Sequence, residues 1–175
     1  MIFEKTVVND ALVIELDKKE DKRGFFARTF CKNELREAGV SFRSVQANLS
    51  YNKTRYTLRG MHYQVSPYEE AKIVRCIRGA IYDVILDLRK DSTTLHKWFG
   101  IELNDKNRKS LYVPKGFAHG FLTLADHTEV DYKMSEYFKP GSGRGIRWDD
   151  PFFNIKWPNN PKVLSRKDRE WPFVE

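Results

Sequence analysis

The stretch AIYDVILDL, residues Ala80–Leu88, has the two-residue alternation of a β-strand. One face of this predicted strand is apolar and the other is acidic, with Tyr82, Val84, Leu86 and Leu88 opposed to Asp83 and Asp87. Similar short runs are Ala11–Leu16, Lys72–Ile77, Trp98–Leu103, Ser110–Val113, Phe117–Leu124 and Thr128–Met134. Turn-forming residues such as Arg78-Gly79 separate them. Many short strands at this spacing predict an all-β sandwich or barrel.

Helical patterns are scarce. Asn33–Gly39 (NELREAG) predicts a short helix with Asn33 as N-cap and Gly39 as the stop, and Ser165–Trp171 predicts another. The segment Lys139–Pro161 is rich in Pro, Gly and Asp, but its many aromatic side chains favour an ordered loop packed on the barrel. Without a repeat or linker, residues 1–175 are expected to form a single domain.

Composition narrows the function classes. No apolar run approaches the length of a membrane span, and the N-terminus lacks a signal-peptide pattern, so no membrane association is expected. Cys31 and Cys76 are expected to be free thiols in the cytoplasm. The net charge is +7, but basic residues are interspersed with 24 acids, which favours a mixed surface over a nucleic-acid site. A local anion-binding site remains open.

The stretch LRGMHYQ, Leu58–Gln64, places a histidine in an apolar, aromatic strand. Such a histidine can hold a metal, transfer a proton or serve only as a hydrogen-bonded core residue. A cupin-type metal site needs several converging ligands, but His62 is followed by Tyr63 and Gln64 instead of a second histidine. The sequence therefore predicts no catalytic metal.

Three other residues favour proton chemistry at His62. Lys72 alternates with apolar residues of its predicted strand, Tyr132 lies on the apolar face of EVDYKM, and His119 shares a face with two phenylalanines. Together they would line a barrel mouth as an acid–base site. Asp168 has two open roles, because SRKD also fits a helix-capping box with Ser165 as N-cap. Its alternative role is to orient His62.

Arg23 and Arg59 are candidate anion-binding residues, each followed by a glycine that would let a ligand approach closely. In an ideal strand Arg59 and His62 would point to opposite faces, because their separation is odd. A β-bulge at Gly60 would bring both side chains to one site.

Ordered blocks from Asp21 to Asp168 resemble the dTDP-4-dehydrorhamnose 3,5-epimerases, nucleotide-sugar epimerases with a cupin-like jelly roll. The blocks are DKRGFFARTF, QANLSYNKTRYTLRGMHYQ, EAKIVRCIRGAIYDVILDLRKDS, PKGFAHGFLTL, YKMSEYF, RGIRWDDP and VLSRKD. The resemblance implies that His62 is the base supported by Asp168, that Lys72 stabilises the enolate and that Tyr132 donates the proton. It also implies a cofactor-independent reaction on a nucleotide-linked 4-keto-6-deoxy sugar. Further substrate-binding positions implied by it are Arg23, Phe26, Gln46, Asn48, Arg59, His119 and Lys167.

The resemblance further implies a homodimer that exchanges N-terminal strands, so that Arg23 and Phe26 reach the partner's site. Arg28 and Phe138 are also predicted substrate-binding positions. Arg28 and Gly143 depart from the family pattern near the nucleotide base, whereas Phe138 keeps the aromatic residue that stacks on it. The resemblance implies a dTDP-linked substrate, and the two departures leave CDP- and GDP-linked sugars as alternatives. Inversion of C3 alone or C5 alone, a 3,4-ketoisomerase and a metal-dependent cupin oxygenase are the other enzymatic alternatives. An inactive cupin-like sugar-binding module is the alternative outside catalysis.

Overall fold

The computed structural model describes residues 1–174, and strands make up most of their regular structure. The strands are β1 (Ile2–Lys5), β2 (Leu12–Glu15), β3 (Lys19–Asp21), β4 (Gly24–Phe26), β5 (Gln46–Asn52), β6 (Thr57–Gln64), β7 (Lys72–Arg78), β8 (Ala80–Asp87), β9 (Trp98–Asn104), β10 (Ser110–Val113), β11 (Phe117–Thr123), β12 (Thr128–Met134), β13 (Gly143–Gly145) and β14 (Val163–Leu164). Two short helices, α1 (Lys32–Glu37) and α2 (Arg166–Arg169), complete the described elements.

Two large sheets form a cupin-like jelly roll, which confirms the predicted fold class. The first has the strand order β1-β2-β10-β7-β12-β5, and the second has the order β13-β6-β11-β8-β9. Neighbouring strands along these orders are antiparallel, while the two-residue β14 runs parallel to β6. β3 and β4 form a separate hairpin.

An apolar core fills the space between the two large sheets. Val74, Leu111 and Val130 from the first sheet pack against Ile81 and Ile85 from the second. The face of β7 that buries Val74 and Cys76 also carries Lys72, which is 8% exposed. Lys72 therefore points inward, as its alternation with apolar residues predicted.

The acidic face of β8 is buried as deeply as its apolar face. Asp83 and Asp87 share the inward face with Ile81 and Ile85, and both carboxylates are fully buried. Burial opposes ionisation of Asp87, but hydrogen bonds from Arg89, Ser92 and Thr94 lower its pKa to about 2. An acidic face therefore lies against the core here, because each buried acid has a polar partner.

Irregular segments cover the outer faces of both sheets. Ile146 and Phe153 pack on β8 and β11, so the aromatic-rich segment after Lys139 is ordered as expected. Leu35 from α1, with Val40 and Phe42 after it, packs on the first sheet.

The first helix begins earlier than predicted. α1 starts at Lys32 after Cys31, so the prediction of Asn33 as N-cap is wrong. Gly39 follows the helix with a φ of +83°, which agrees with its predicted role as the stop. No helix within the described residues is long and apolar enough to cross a membrane.

A β-bulge interrupts the pairing of β6 with β11. Arg59 pairs with Phe121 and His62 with His119, so Gly60 and Met61 together lie opposite Gly120. The extra residue cancels the odd separation of Arg59 and His62, and both side chains reach the same cavity. The bulge expected at Gly60 is confirmed.

Replacing Gly60 by alanine should destabilise the barrel. A Cβ atom at Gly60 would lie 2.4 Å from Cα of Gly120, and the φ of Gly60 is +135°. Gly141→Ala is the matched control, because Gly141 also has a positive φ but no atom within 4 Å of the added methyl group. By denaturant titration, Gly60→Ala should lower the free energy of unfolding by about 1–3 kcal/mol more than Gly141→Ala. Equal losses would show that the close approach of β6 to β11 is unimportant.

Candidate active site

The candidate site is a cavity of about 760 Å³ between the two sheets. Its walls come from β5, β6, β7, β11 and β12, and the β14–α2 segment closes one side. Ten of the predicted site residues line it, namely Gln46, Asn48, Arg59, His62, Lys72, His119, Tyr132, Phe138, Lys167 and Asp168. Residues far apart in the sequence therefore come together around this cavity.

His62 is bound to Asp168 at the wall of this cavity. Nε2 of His62 lies 2.5 Å from Oδ1 of Asp168, whose side chain is 5% exposed. Ser165 caps α2 by accepting a hydrogen bond from the backbone N–H of Asp168. The backbone of Asp168 thus takes part in the predicted cap of α2, while its carboxylate binds His62.

The Asp168 carboxylate fixes the form of His62. Burial alone would raise the pKa of Asp168, but the hydrogen bond from His62 and its charge, with smaller contributions from Ser165 and Gly60, lower this pKa below its ordinary value. An ionised carboxylate only accepts hydrogen bonds, so Nε2 of His62 is the protonated nitrogen. Whenever the imidazole is neutral, Nδ1 is therefore the nitrogen with the basic lone pair.

Tyr132 and Lys72 lie on neighbouring strands. In the pairing of β12 with β7, Tyr132 is opposite Val74 and Met134 is opposite Lys72. The side chains of Tyr132 and Lys72 are therefore diagonal neighbours. Burial raises the pKa of Tyr132 above its ordinary value, and the charge of Glu70 adds to this while that of Arg59 opposes it. The phenol therefore holds its proton at neutral pH and can donate it.

A second histidine–carboxylate pair lies deeper in the barrel. Nε2 of His119 is 2.7 Å from Oδ1 of Asp83, and His119 is 8% exposed while Asp83 is fully enclosed. The sequence pattern of β8 had shown Asp83 only as part of an acidic face. Its partner on β11 became identifiable only from the register that places the two strands side by side.

Polar and charged groups surround the outer part of the cavity. Gln46 Nε2 donates to Asn48 Oδ1, and Arg59 Nε donates to Asn52 Oδ1 at 2.7 Å. Lys167 lies over the ring of Trp171, with Nζ 5.3 Å from the ring centroid. Arg59 and Lys167 give this region cationic groups suited to phosphate oxygens.

Three predicted binding residues lie outside the cavity of their own chain. Arg23 is exposed and paired with Asp21, and Phe26 is 77% exposed. Arg28 is paired with Glu34, which also binds the N-terminal amine of Met1.

Sequence reasoning missed the structural role of Gln64. Its side-chain NH₂ donates to the backbone carbonyls of Tyr68 and Tyr137. Its side-chain oxygen accepts from the backbone N–H of Lys139 and from the hydroxyl of Ser142. Gln64 thereby holds the loop that carries Phe138 against the cavity. Across residues 1–174, no group of three or more His, Cys, Asp or Glu side chains is placed to hold a metal ion.

The inner cavity of this jelly roll combines histidine–carboxylate pairs with a lysine, a tyrosine and outer cationic groups. This combination suits a nucleotide-sugar epimerase of the cupin type. The chain belongs to the dTDP-4-dehydrorhamnose 3,5-epimerase family, whose model matches residues 5–175. The resemblance noted from the sequence is therefore confirmed.

Known relatives resemble the chain over almost its full length. A dTDP-4-dehydrorhamnose 3,5-epimerase of Methanothermobacter thermautotrophicus is 44% identical over 97% of this chain and 92% of the relative. The crystal structure of the Bacillus anthracis enzyme with TDP and PPi bound has a TM-score of 0.94 and 43% identity, with 99% of each chain covered. The Legionella pneumophila enzyme in complex with dTDP-4-keto-L-rhamnose has a TM-score of 0.91 and 35% identity over 98% of this chain and 92% of that one.

The lowered pKa of Asp168 predicts how stability depends on pH. A carboxyl group whose pKa is lowered by folding stabilises the fold at pH values above its pKa in the unfolded chain. This contribution disappears as the pH falls through the pKa of the group in the folded protein. Wild type should therefore be more stable than Asp168→Asn at neutral pH. The difference should shrink as the pH falls below 3.8, the ordinary pKa of an aspartate. Urea titrations at several pH values measure this difference.

The control for this prediction is Glu170→Gln, which removes an exposed acid just after α2. It should change stability little at any pH. A difference for Asp168→Asn that stays constant down to the acid range would contradict the His62–Asp168 linkage.

Proposed function

We propose that His62, Lys72 and Tyr132 carry out the 3,5-epimerisation of a dTDP-linked 4-keto-6-deoxy sugar, the activity that defines the family. The observation that carries this proposal is the placement of a histidine with its own buried carboxylate in one cavity with a buried ammonium and a protonated phenol. Each of these groups matches one requirement of proton transfer next to a ketone.

The chemistry follows from the C4 ketone, which acidifies the protons on C3 and C5. Nδ1 of His62 removes one of these protons, and the charge of the resulting imidazolium is balanced by Asp168. The ammonium of Lys72 stabilises the enolate oxygen that forms at C4. Tyr132 then returns a proton to the opposite face of the ring, which inverts the carbon. This sequence of proton transfers needs no redox cofactor.

The outer cavity suits the nucleotide part of the substrate. Arg59 and Lys167 would bind the diphosphate, Gln46 and Asn48 would position it by hydrogen bonds, and the exposed ring of Phe138 would stack on the base. His119, held by Asp83, would hydrogen-bond the sugar. Relatives solved with TDP and with a dTDP sugar support thymidine as the base.

Solvent deuterium should enter the substrate at the carbons that are epimerised. Incubation of wild type with dTDP-4-keto-6-deoxyglucose in deuterated water, followed by NMR, should show label at both C3 and C5. His62→Ala should lower exchange at both carbons by about 100-fold or more, because the base is gone. Tyr132→Phe should slow inversion more than it slows exchange, because the proton can still leave but its return is impaired.

His127→Ala makes the same change at an exposed histidine outside the cavity and should leave exchange unaltered. Label at one carbon only would identify a mono-epimerase. No label with dTDP-, CDP- or GDP-linked substrate would refute the proposed activity and favour a sugar-binding module.

We also propose that the chain acts as a single epimerase domain within a homodimer, as the resemblance predicted. The hairpin of β3 and β4 carries exposed Phe25 and Phe26, and β5 is the last strand of its sheet, with Leu49 and Tyr51 exposed. Exposed phenylalanines on a hairpin and an open sheet edge are surfaces that a second copy can cover. This arrangement would bring Arg23 and Phe26 to the partner's cavity, and with them Arg28. A cytoplasmic location stays a prediction, supported by the unpaired thiols of Cys31 and Cys76.

Mixed dimers test this arrangement. Arg23→Ala and His62→Ala should each be poorly active alone, but a mixed dimer of the two would contain one site with both residues intact. Co-expression with two different tags and purification through both should therefore restore exchange above that of either parent. If Arg23 served its own chain's cavity, every site of the mixed dimer would carry one defect and activity would not recover.

A further inference from the structure

Glu70 forms a buried ion pair with Lys72 at the wall of the cavity. Oε1 of Glu70 lies 3.0 Å from Nζ of Lys72, and the two side chains are 4% and 10% exposed. Glu70 comes just before β7, and Lys72 is the first residue of that strand. A buried ammonium is costly unless a counter-charge compensates it, so this contact matters for the charge state of Lys72.

Other carboxylates near the cavity are already bound to a histidine. Asp168 pairs with His62 and Asp83 pairs with His119. The remaining ionisable groups that line the cavity are basic or phenolic, namely Arg59, His62 and Tyr63 from β6, His119 from β11, Tyr132 from β12, Arg144 from β13 and Lys167 from α2. Among the described cavity residues, Glu70 is therefore the acid available to Lys72.

The second oxygen of Glu70 makes no competing contact. Oε2 is buried and has no hydrogen-bond partner within residues 1–174. A carboxylate with an unsatisfied buried oxygen is destabilising by itself. Its position is explained if its charge serves the ammonium beside it.

We infer that Glu70 is a positioning residue for the reaction, which holds Lys72 charged and directed toward the site of the enolate oxygen. This inference rests on the role proposed above for Lys72. Glu70 does not touch the reacting carbons. It acts through Lys72, and it keeps the cation in place while the cavity is empty of substrate.

The test must separate Lys72 from Tyr132, because the charge of Glu70 also acts on the phenol. We therefore choose a direct readout of the ammonium. Protein labelled with ¹³C at lysine Cε is titrated by NMR, and the Lys72 signal is assigned by its loss in Lys72→Met. In Glu70→Gln the Lys72 signal should report loss of its proton at a lower pH than in wild type, because the close opposite charge has been removed.

Glu69→Gln is the matched control, because it removes the same charge one residue earlier, outside the cavity-lining set. It should leave the Lys72 titration unchanged. Glu70→Asp keeps the charge on a shorter side chain and should move the titration less than Glu70→Gln. An unchanged Lys72 titration in Glu70→Gln, or an equal shift in Glu69→Gln, would overturn the inference.

Activity gives a second, separable readout. With deuterium exchange as the assay, we expect the pH above which kcat declines to be lower in Glu70→Gln than in wild type. KM should stay within about twofold, because positioning acts on the chemical step. A normal alkaline limit beside a shifted Lys72 titration would show that the ion pair has no part in the reaction. If wild type showed no exchange, the proposed function would be refuted. The NMR titration would still test whether Glu70 acts on the charge of Lys72.

Discussion

The close approach of β6 and β11 at Gly60 and Gly120 is the constraint on which the site depends. An ordinary strand would direct Arg59 and His62 to opposite faces, one into the cavity and one into the outer packing layer. The bulge places both in the cavity, and only a residue without a side chain fits so near the backbone of Gly120. This wall of the cavity is thus built by a local backbone irregularity that two glycines permit.

Pairing of charges is the second organising feature of the cavity. His62, Lys72 and His119 each lie against a buried carboxylate, from Asp168, Glu70 and Asp83 respectively. These three acids come from α2, from the segment before β7 and from β8, so each basic group is held from a different direction. In the proposed reaction, such pairs would orient the three basic groups and select the tautomer of each histidine before substrate arrives, which would lower the reorganisation needed during proton transfer.

Much of the fold followed from local pattern. The strands β8, β10 and β12 begin where alternation predicted them, and Ser165 caps α2 as its motif indicated. Local pattern misplaced the start of α1, since Asn33 lies inside the helix. It also gave no sign that the acidic face of β8 is interior, because alternation shows that two faces differ and not which one is buried.

For the site, the residue types and the ordered blocks of sequence identified His62, Lys72, Tyr132 and His119, as well as the two candidate roles of Asp168. The sequence by itself determined the set of chemical groups and the family, because these depend on which residues occur and in what order. Only the tertiary structure decided that the Asp168 carboxylate binds His62 and that Asp83 and Glu70 complete the other pairs. Those partners depend on strand register and on the path of the chain in space, which residue order does not specify.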